Sequence, residues 1–405
     1  MNLLLTSERS FLKLLIFRIS VVLAYQVISV VVGWHIYQLT HDALALGLIG
    51  LAEVIPYFTF ALFAGHAIDH YSRRMFGVAA CLLLMLNALM LSAVSAGMIT
   101  GSPTVWIYVV IAVGGVARAF ISPSYSAMFA LILPRDQYAR ASGIGSSVFQ
   151  LGLIVGPALG GIMVGWLGKT SSYAVAAGFS LCAAVALFSI RVDAPPAAES
   201  KPILRSIAEG LRFVFGNQVV LGAQSLDMFA VLFGGAVSML PAFIHNVYHC
   251  GPEVLGVLRA APAIGGMVTG LFLARHPIRF NNGRWLLCAV AGFGICIILF
   301  ALSSDFRVAI VLLLCSGICD GVSVVTRTTI LQLATPDAIR GRVSAINGIF
   351  IGSSNELGAF ESGVAARLMG LVPSVVFGGA MTIAVVAATA GLAPRLRRLD
   401  LQHLE

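Results

Sequence analysis

Apolar residues recur along this chain in runs of about 20 or more, separated by short segments that hold the charges, prolines and polar turn residues. A run of that length crosses a hydrocarbon core roughly 30 Å thick as a helix. The alternation of period two that a membrane barrel strand needs is absent, so helices are the expected spanning elements. Runs and breakers place spans at 11–39, 43–68, 73–97, 103–133, 140–167 and 171–192, then at 219–246, 252–275, 283–302, 306–334, 343–369 and 371–393. The expectation is an all-α membrane protein of 12 transmembrane helices. Its parts are a six-helix bundle (1–192), a linker (193–218), a second six-helix bundle (219–393) and a tail (394–405). The linker holds Pro195, Pro196, Glu199, Lys201, Pro202, Arg205, Glu209 and Arg212. Within it, 203–215 has a helical period and is expected to lie along the membrane surface as an amphipathic helix.

Composition strengthens this picture. Of 405 residues, 59% are apolar and 10% charged, where a soluble domain carries roughly 25% charged residues. The net charge of +8 comes from basic residues scattered singly at span ends, without the patch that nucleic acid requires. With both termini placed in the cytoplasm, only Lys169, Arg307 and Arg367 fall in outer segments. Arg18, Arg118, Arg259 and Arg327 lie inside spans, and the rest of the 25 Lys and Arg are cytoplasmic. That bias fixes the expected orientation. Six of the seven cysteines fall within apolar runs and only Cys250 in a loop, so no disulfide framework follows. The first run lacks a following small-residue cleavage site and is expected to remain as a span.

The two halves also echo one another. A shift of 202 residues lays Ser142, Ile144, Gly156 and Gly161 on Ser344, Ile346, Gly358 and Gly363, pairing span five with span eleven. A shift of 209 lays Leu46-Gly47 on Leu255-Gly256, pairing span two with span eight. Parallel repeats about an axis along the membrane normal are one of the architectures of secondary transporters.

Three segments carry a family resemblance. After span two the chain reads Gly65, three residues, Asp69, His70, Tyr71, Ser72, Arg73, Arg74. This is similar to the cytoplasmic loop pattern of the major facilitator superfamily, departing from it at His70 and Ser72. Span five reads Gly143, Gly152, Gly156-Pro157 and Gly160-Gly161, which resembles the pattern associated with antiporters of that superfamily. Span four (Arg118-Ala119-Phe120, then Pro123) and span eleven (Asn355 through Gly363) resemble its bacterial branch of enterobactin and other siderophore exporters. With the span count, the resemblance covers nearly the whole chain. It implies the major facilitator fold, two pseudo-symmetric six-helix bundles, in a bacterial inner membrane. It also implies efflux of a siderophore or amphipathic drug-like molecule in exchange for protons, by alternating access. In the family, the loop at Gly65, Asp69, Arg73 and Arg74 acts as a conformational clamp, its counterpart here being 342–345. The resemblance likewise implies that the bent, small-residue face of span five seals the outer half of the cavity.

The residues themselves make parts of this physical. Glycines every three to five positions along span five leave a face on which another helix can approach closely, and Pro157 removes a backbone donor and bends the helix. Tight packing alone accounts for such a face as well. Ionisable residues inside spans are expensive and count as functional candidates: Arg18, Glu53, Arg118, Asp227, Arg259, Asp320, Arg327, Glu356 and Glu361. The 209 shift lays Arg18 on Asp227 and the 202 shift lays Arg118 on Asp320. In the resembled fold spans one, four, seven and ten line the cavity. These four would then form a substrate and proton site together with Glu356 and Glu361, basic in one half and acidic in the other. The competing reading is that each pairs with a neighbour inside its own half, as Asp320 and Arg327, seven apart on one helix face, could do. Glu53, just before Pro56, reads as a carboxylate satisfied by helix packing.

Other signals are discounted. Gly168-Lys169-Thr170 imitates the end of a phosphate loop, but Met163 stands where that pattern needs glycine. His245, His249 and Cys250 have metal-ligand types but no fourth ligand nearby, so no metal is expected. Nor does any nucleophile–base constellation or cofactor fingerprint appear. The reading is a monomeric exporter, not an enzyme, whose partners are a small organic substrate, protons and the bilayer. Another metabolite or lipid as cargo, or a non-transporting membrane sensor or scaffold, are the alternatives.

Overall fold

The computed structural model describes residues 2–70, 72–134, 137–190, 203–278, 280–336 and 339–400. Side chains of 2–7, 62–70, 139, 203–208, 210, 340–342, 344–345 and 349 lie outside the described set. The elements are α1 (Asn2–Thr40), α2 (Ala43–His70), α3 (Arg73–Ser95), α4 (Pro103–Ile132), α5 (Tyr138–Phe188), α6 (Ile203–Gly216) and α7 (Gln218–Phe233). They continue with α8 (Leu240–Phe243), α9 (Pro252–Arg275), α10 (Asn282–Leu302), α11 (Phe306–Ala334), α12 (Arg340–Met369), α13 (Leu371–Leu392) and α14 (Pro394–Arg397). The described residues contain helices and no strand, as an apolar solvent demands of a chain that must satisfy its own backbone.

Ten helical stretches among the described residues are long and apolar enough to cross a membrane. One of them, Arg140–Phe188, is broken at Gly168, whose φ of 78° and ψ of 172° are not helical. It therefore consists of two span-length helices joined by a one-residue turn, which glycine alone adopts without a Cβ clash. The helix α12 is 30 residues long but carries Glu356 and Glu361 at its middle and three arginines, Arg340, Arg342 and Arg367, which place it below the hydropathy of the others.

One expected span differs in form. The run 219–246 is not a single helix: α7 stops at Phe233, a 3-10 turn covers Gly235–Met239, and after α8 a π turn covers Ile244–Tyr248. The break sits against α12. A Cβ on Gly235 would press on the Gly358 carbonyl and the Ser362 hydroxyl, and one on Gly234 would meet the Phe293 ring. Two adjacent glycines admit these neighbours and also loosen the helix, while Pro241 withholds one backbone donor.

The chain separates into two compact units. The first comprises Met1–His41, Leu51–Glu199 and the short piece Cys250–Ala260; the second comprises Asp42–Gly50, Ser200–His249 and Ala261–Glu405. In the first unit α1 packs along α5, and α3 lies against α4 and α5. One core there gathers Leu14, Phe17, Cys81, Met128, Ala183 and Leu187 from these helices. In the second, α10 packs on α11 and α13 while α7 lies against α12 and α13, around Leu226, Leu286, Val290 and Ile330.

Helix bounds repeat with the sequence shifts. The 209 shift carries α3 onto 282–304, where α10 runs Asn282–Leu302, and carries α2 onto 252–279, where α9 runs Pro252–Arg275. The 202 shift carries α4 onto 305–334, where α11 runs Phe306–Ala334.

Candidate functional site

In the first unit a polar cluster forms where α2 and α4 touch. A Cβ on Gly115 would run into the Glu53 carbonyl oxygen, so the two backbones are in contact. Arg118, one turn further along α4, reaches the Glu53 carboxylate at 2.8 Å. The Tyr25 hydroxyl of α1 donates to the same carboxylate oxygen at 2.8 Å and accepts from Arg118 at 3.0 Å. The guanidinium lies over the Tyr25 and Tyr57 rings, 4.9 and 5.4 Å from their centroids. Glu53 is buried. Charge pairing, hydrogen bonding and aromatic contact together offset the expense of placing two ions inside a span.

Arg18 is held differently. Its guanidinium lies 4.0 Å from the centre of the Tyr125 ring on α4 and 5.1 Å from Phe149 on α5, and its Nε is buried without a hydrogen-bond partner among the described residues. Gly145 makes room, since a Cβ there would meet the Tyr125 hydroxyl at 2.5 Å and the guanidinium at 3.8 Å.

In the second unit Asp227 of α7 and Arg327 of α11 form an ion pair, both buried. Pairing inside one half, the alternative left open by the sequence, thus holds for Arg118 with Glu53 and for Asp227 with Arg327, but the partner of Arg327 is Asp227, not Asp320 seven residues away on its own helix. Among the described residues Asp320 makes no hydrogen bond or ion pair. Glu356, half-buried on α12, has its backbone carbonyl against Gly50, whose Cβ would come within 2.6 Å of it.

These contacts obey the repeat. Tyr125 shifted by 202 is Arg327, and Arg18 shifted by 209 is Asp227. The cation–π pair of one unit and the ion pair of the other thus occupy the same place in the two halves. Sequence reading missed Tyr125 as a partner, although the shift applied backwards from Arg327 finds it. It also passed over Tyr25, seven residues from Arg18 on one helix face.

The glycines of span five meet α1. A Cβ on Gly152 would lie 2.5 Å from Val22, on Gly156 2.6 Å from the Gln26 Cβ and on Gly160 3.0 Å from Val30. Among the described residues nothing lies within 4 Å of a Cβ placed on Gly143, so it takes no part in this packing with α1. A Cβ on Gly161 would come within 2.5 Å of the Gly256 backbone, and one on Gly256 would lie 2.7 Å from the Pro157 carbonyl oxygen. In the second unit Gly358 meets Leu232 and Gly363 meets Gly47, again the shifted counterparts of Gly156 with Leu23 and of Gly161 with Gly256.

Of the expected clamp, Gly65 and Asp69 lie in α2 with side chains outside the described residues, as do those of Arg342, Ser344 and Ala345 in its expected counterpart. Arg73 opens α3. Arg74 donates to the Ile190 carbonyl at 2.9 Å and lies over the Phe188 ring, completing the C-terminal end of α5. Among the described residues no three His, Cys, Asp or Glu side chains gather as a metal site. His249 turns back onto the His245 carbonyl at 3.0 Å.

Long apolar helices with small-residue crossings and ionised groups held inside them describe a multi-pass membrane protein, and its relatives make it a membrane transporter, not an enzyme. Residues 14–359 match the Major Facilitator Superfamily, and the chain belongs to that family. It is similar to the multidrug efflux pump Tap of Mycolicibacterium fortuitum, 27% identical over 382 residues that cover 91% of each chain. It is 25% identical over 215 residues to the enterobactin exporter EntS of Escherichia coli, covering 53% of this chain and 51% of that one. A crystallised D-xylose-proton symporter shares the fold at a TM-score of 0.75 and 12% identity, over 96% of this chain and 99% of that one. A bacterial homologue of the human lysosomal transporter Spinster does so at 0.70 and 17%, over 97% and 96%.

Proposed function

We propose that this protein exports an amphipathic organic molecule, drug-like or siderophore-like, from a bacterial cytoplasm across the inner membrane in exchange for protons. It crosses the membrane twelve times as a monomer, with both termini cytoplasmic and the halves 1–192 and 219–393 related by pseudo-symmetry. Export is supported by the similarity to efflux pumps, which runs through nine tenths of both chains and so is not confined to one shared segment.

The observation that carries proton coupling is Asp320. Protonating Glu53 or Asp227 would break an ion pair. Asp320 can gain and lose a proton without that disruption, because among the described residues it has no partner to release. Arg18 and Arg118 then serve as cations of the first unit for the substrate, with Asp227, Glu356 and Glu361 supporting the acidic side. Gly65, Asp69, Arg73 and Arg74 act as the clamp, and Gly143, Gly152, Gly156, Pro157, Gly160 and Gly161 as the packing face of the antiporter type, within which Gly143 is the loosest member.

The test is accumulation of labelled amphipathic compounds and iron chelators in cells lacking the protein and in cells supplied with it. Lower accumulation with the protein, abolished by a protonophore, is the expected result. Equal accumulation across the whole panel contradicts export.

A further inference from the structure

We infer that the cavity bounded by α6, the start of α7 and α14 binds the phosphate of an anionic phospholipid headgroup. The cavity has a volume of about 460 Å³, within the range of roughly 300–1,000 Å³ that small-molecule sites occupy. Arg212, Phe213, Asn217, Gln218 and Arg395 line it, and among the described residues no carboxylate does. Among the described residues neither Arg212 nor Arg395 has a hydrogen-bond or ion-pair partner. Two guanidiniums therefore share one hollow with no counter-charge among the described residues, an arrangement that repels itself until an anion enters.

The remaining polar groups suit an oxyanion. The Asn217 side-chain oxygen accepts from the Val219 and Val220 amides at 3.0 and 3.2 Å, so its NH₂ group is left to donate. The Gln218 side chain is tied to the Leu392 carbonyl at 3.2 Å. The positive end of α7 opens on the same hollow. Guanidinium forks match a phosphate's oxygens in pairs, and among the described residues nothing lies within 4 Å of a Cβ placed on Gly216, which leaves room for one.

A lipid is the source because apolar surface flanks the charges. Val214 anchors α6 to the core formed by Val220, Leu331 and Val343, whereas Phe215, its neighbour, is 62% exposed and Leu392 80% exposed. Acyl chains would lie along Phe215 and Leu392 while the headgroup enters the cavity, as expected of an amphipathic helix at the interface. Arg397 and Arg398 add cationic charge beside Arg395. The inference rests on α6 lying at the membrane–water boundary and is independent of transport direction and of proton coupling.

The test uses the full-length protein in detergent, with lipid retention read by native mass spectrometry after adding phosphatidylglycerol or phosphatidylcholine. The protein should retain phosphatidylglycerol in preference, and Arg212→Gln with Arg395→Gln should reduce retention about tenfold or more. Arg212→Lys with Arg395→Lys, which keeps charge but loses the forks, should fall between. Circular dichroism confirms the fold of each variant; should the Gln pair lose helix, the Lys pair and the two single variants decide. Equal retention in protein and variants overturns the inference. So does displacement by inorganic phosphate or glycerol phosphate at concentrations matching the lipid, which would make a soluble anion the ligand.

Discussion

At the residue scale, every ion pair described inside the spans couples two helices: Arg118 with Glu53 joins α4 to α2, and Arg327 with Asp227 joins α11 to α7. The second is the more deeply buried, and removing one member leaves an uncompensated charge worth about 3–5 kcal/mol. Arg327→Leu should therefore lower the unfolding midpoint in detergent sharply, while adding Asp227→Leu should restore part of the loss. A double-mutant cycle measures this coupling; strictly additive losses would show that the pair contributes nothing as a pair. These partners were only partly readable in the sequence. Spacing placed Asp320 and Arg327 on one face, but which neighbour a side chain reaches depends on the rotation of two helices about their axes, which one helix's periodicity does not encode. The charges themselves were plain, because an ion in an apolar run has no inconspicuous place.

At the element scale, span five separates glycines that bear on packing from one that does not. Gly156→Ala would drive a methyl group against Gln26 and Gly161→Ala would drive one against the Gly256 backbone, whereas Gly143→Ala meets nothing within 4 Å among the described residues. The first two variants should insert but lose most transport, and Gly143→Ala should transport close to normally, as read by substrate flux at matched protein levels. Loss in all three would show that glycine serves helix flexibility there and not close approach. Span positions were readable because lipid forces complete helices: α9 and α11 occupy the predicted 252–275 and 306–334. The break of span seven was not, since Gly234 and Gly235 read as ordinary small residues in an apolar run. Only the approach of Gly358 and Phe293 shows what they admit.

At the scale of the whole molecule, the duplication is written in contacts as well as in sequence. The pairs Gly161 with Gly256 and Gly363 with Gly47 are one crossing made twice, and Arg18 with Tyr125 answers Asp227 with Arg327. Chemistry has diverged at these matched places while geometry has not. The first half carries Arg118 where the second carries Asp320, and of the two only Asp320 lacks a partner among the described residues. Asp320 is thus the group we propose for proton exchange. Its role is measured most directly by proton release or uptake, followed with a pH-sensitive dye, when substrate is added to protein reconstituted in vesicles. The unaltered protein should move protons against substrate and drive substrate flux from an imposed pH gradient. Asp320→Asn should retain substrate binding and lose both. Undiminished gradient-driven flux in Asp320→Asn would contradict the assignment of the proton to this residue.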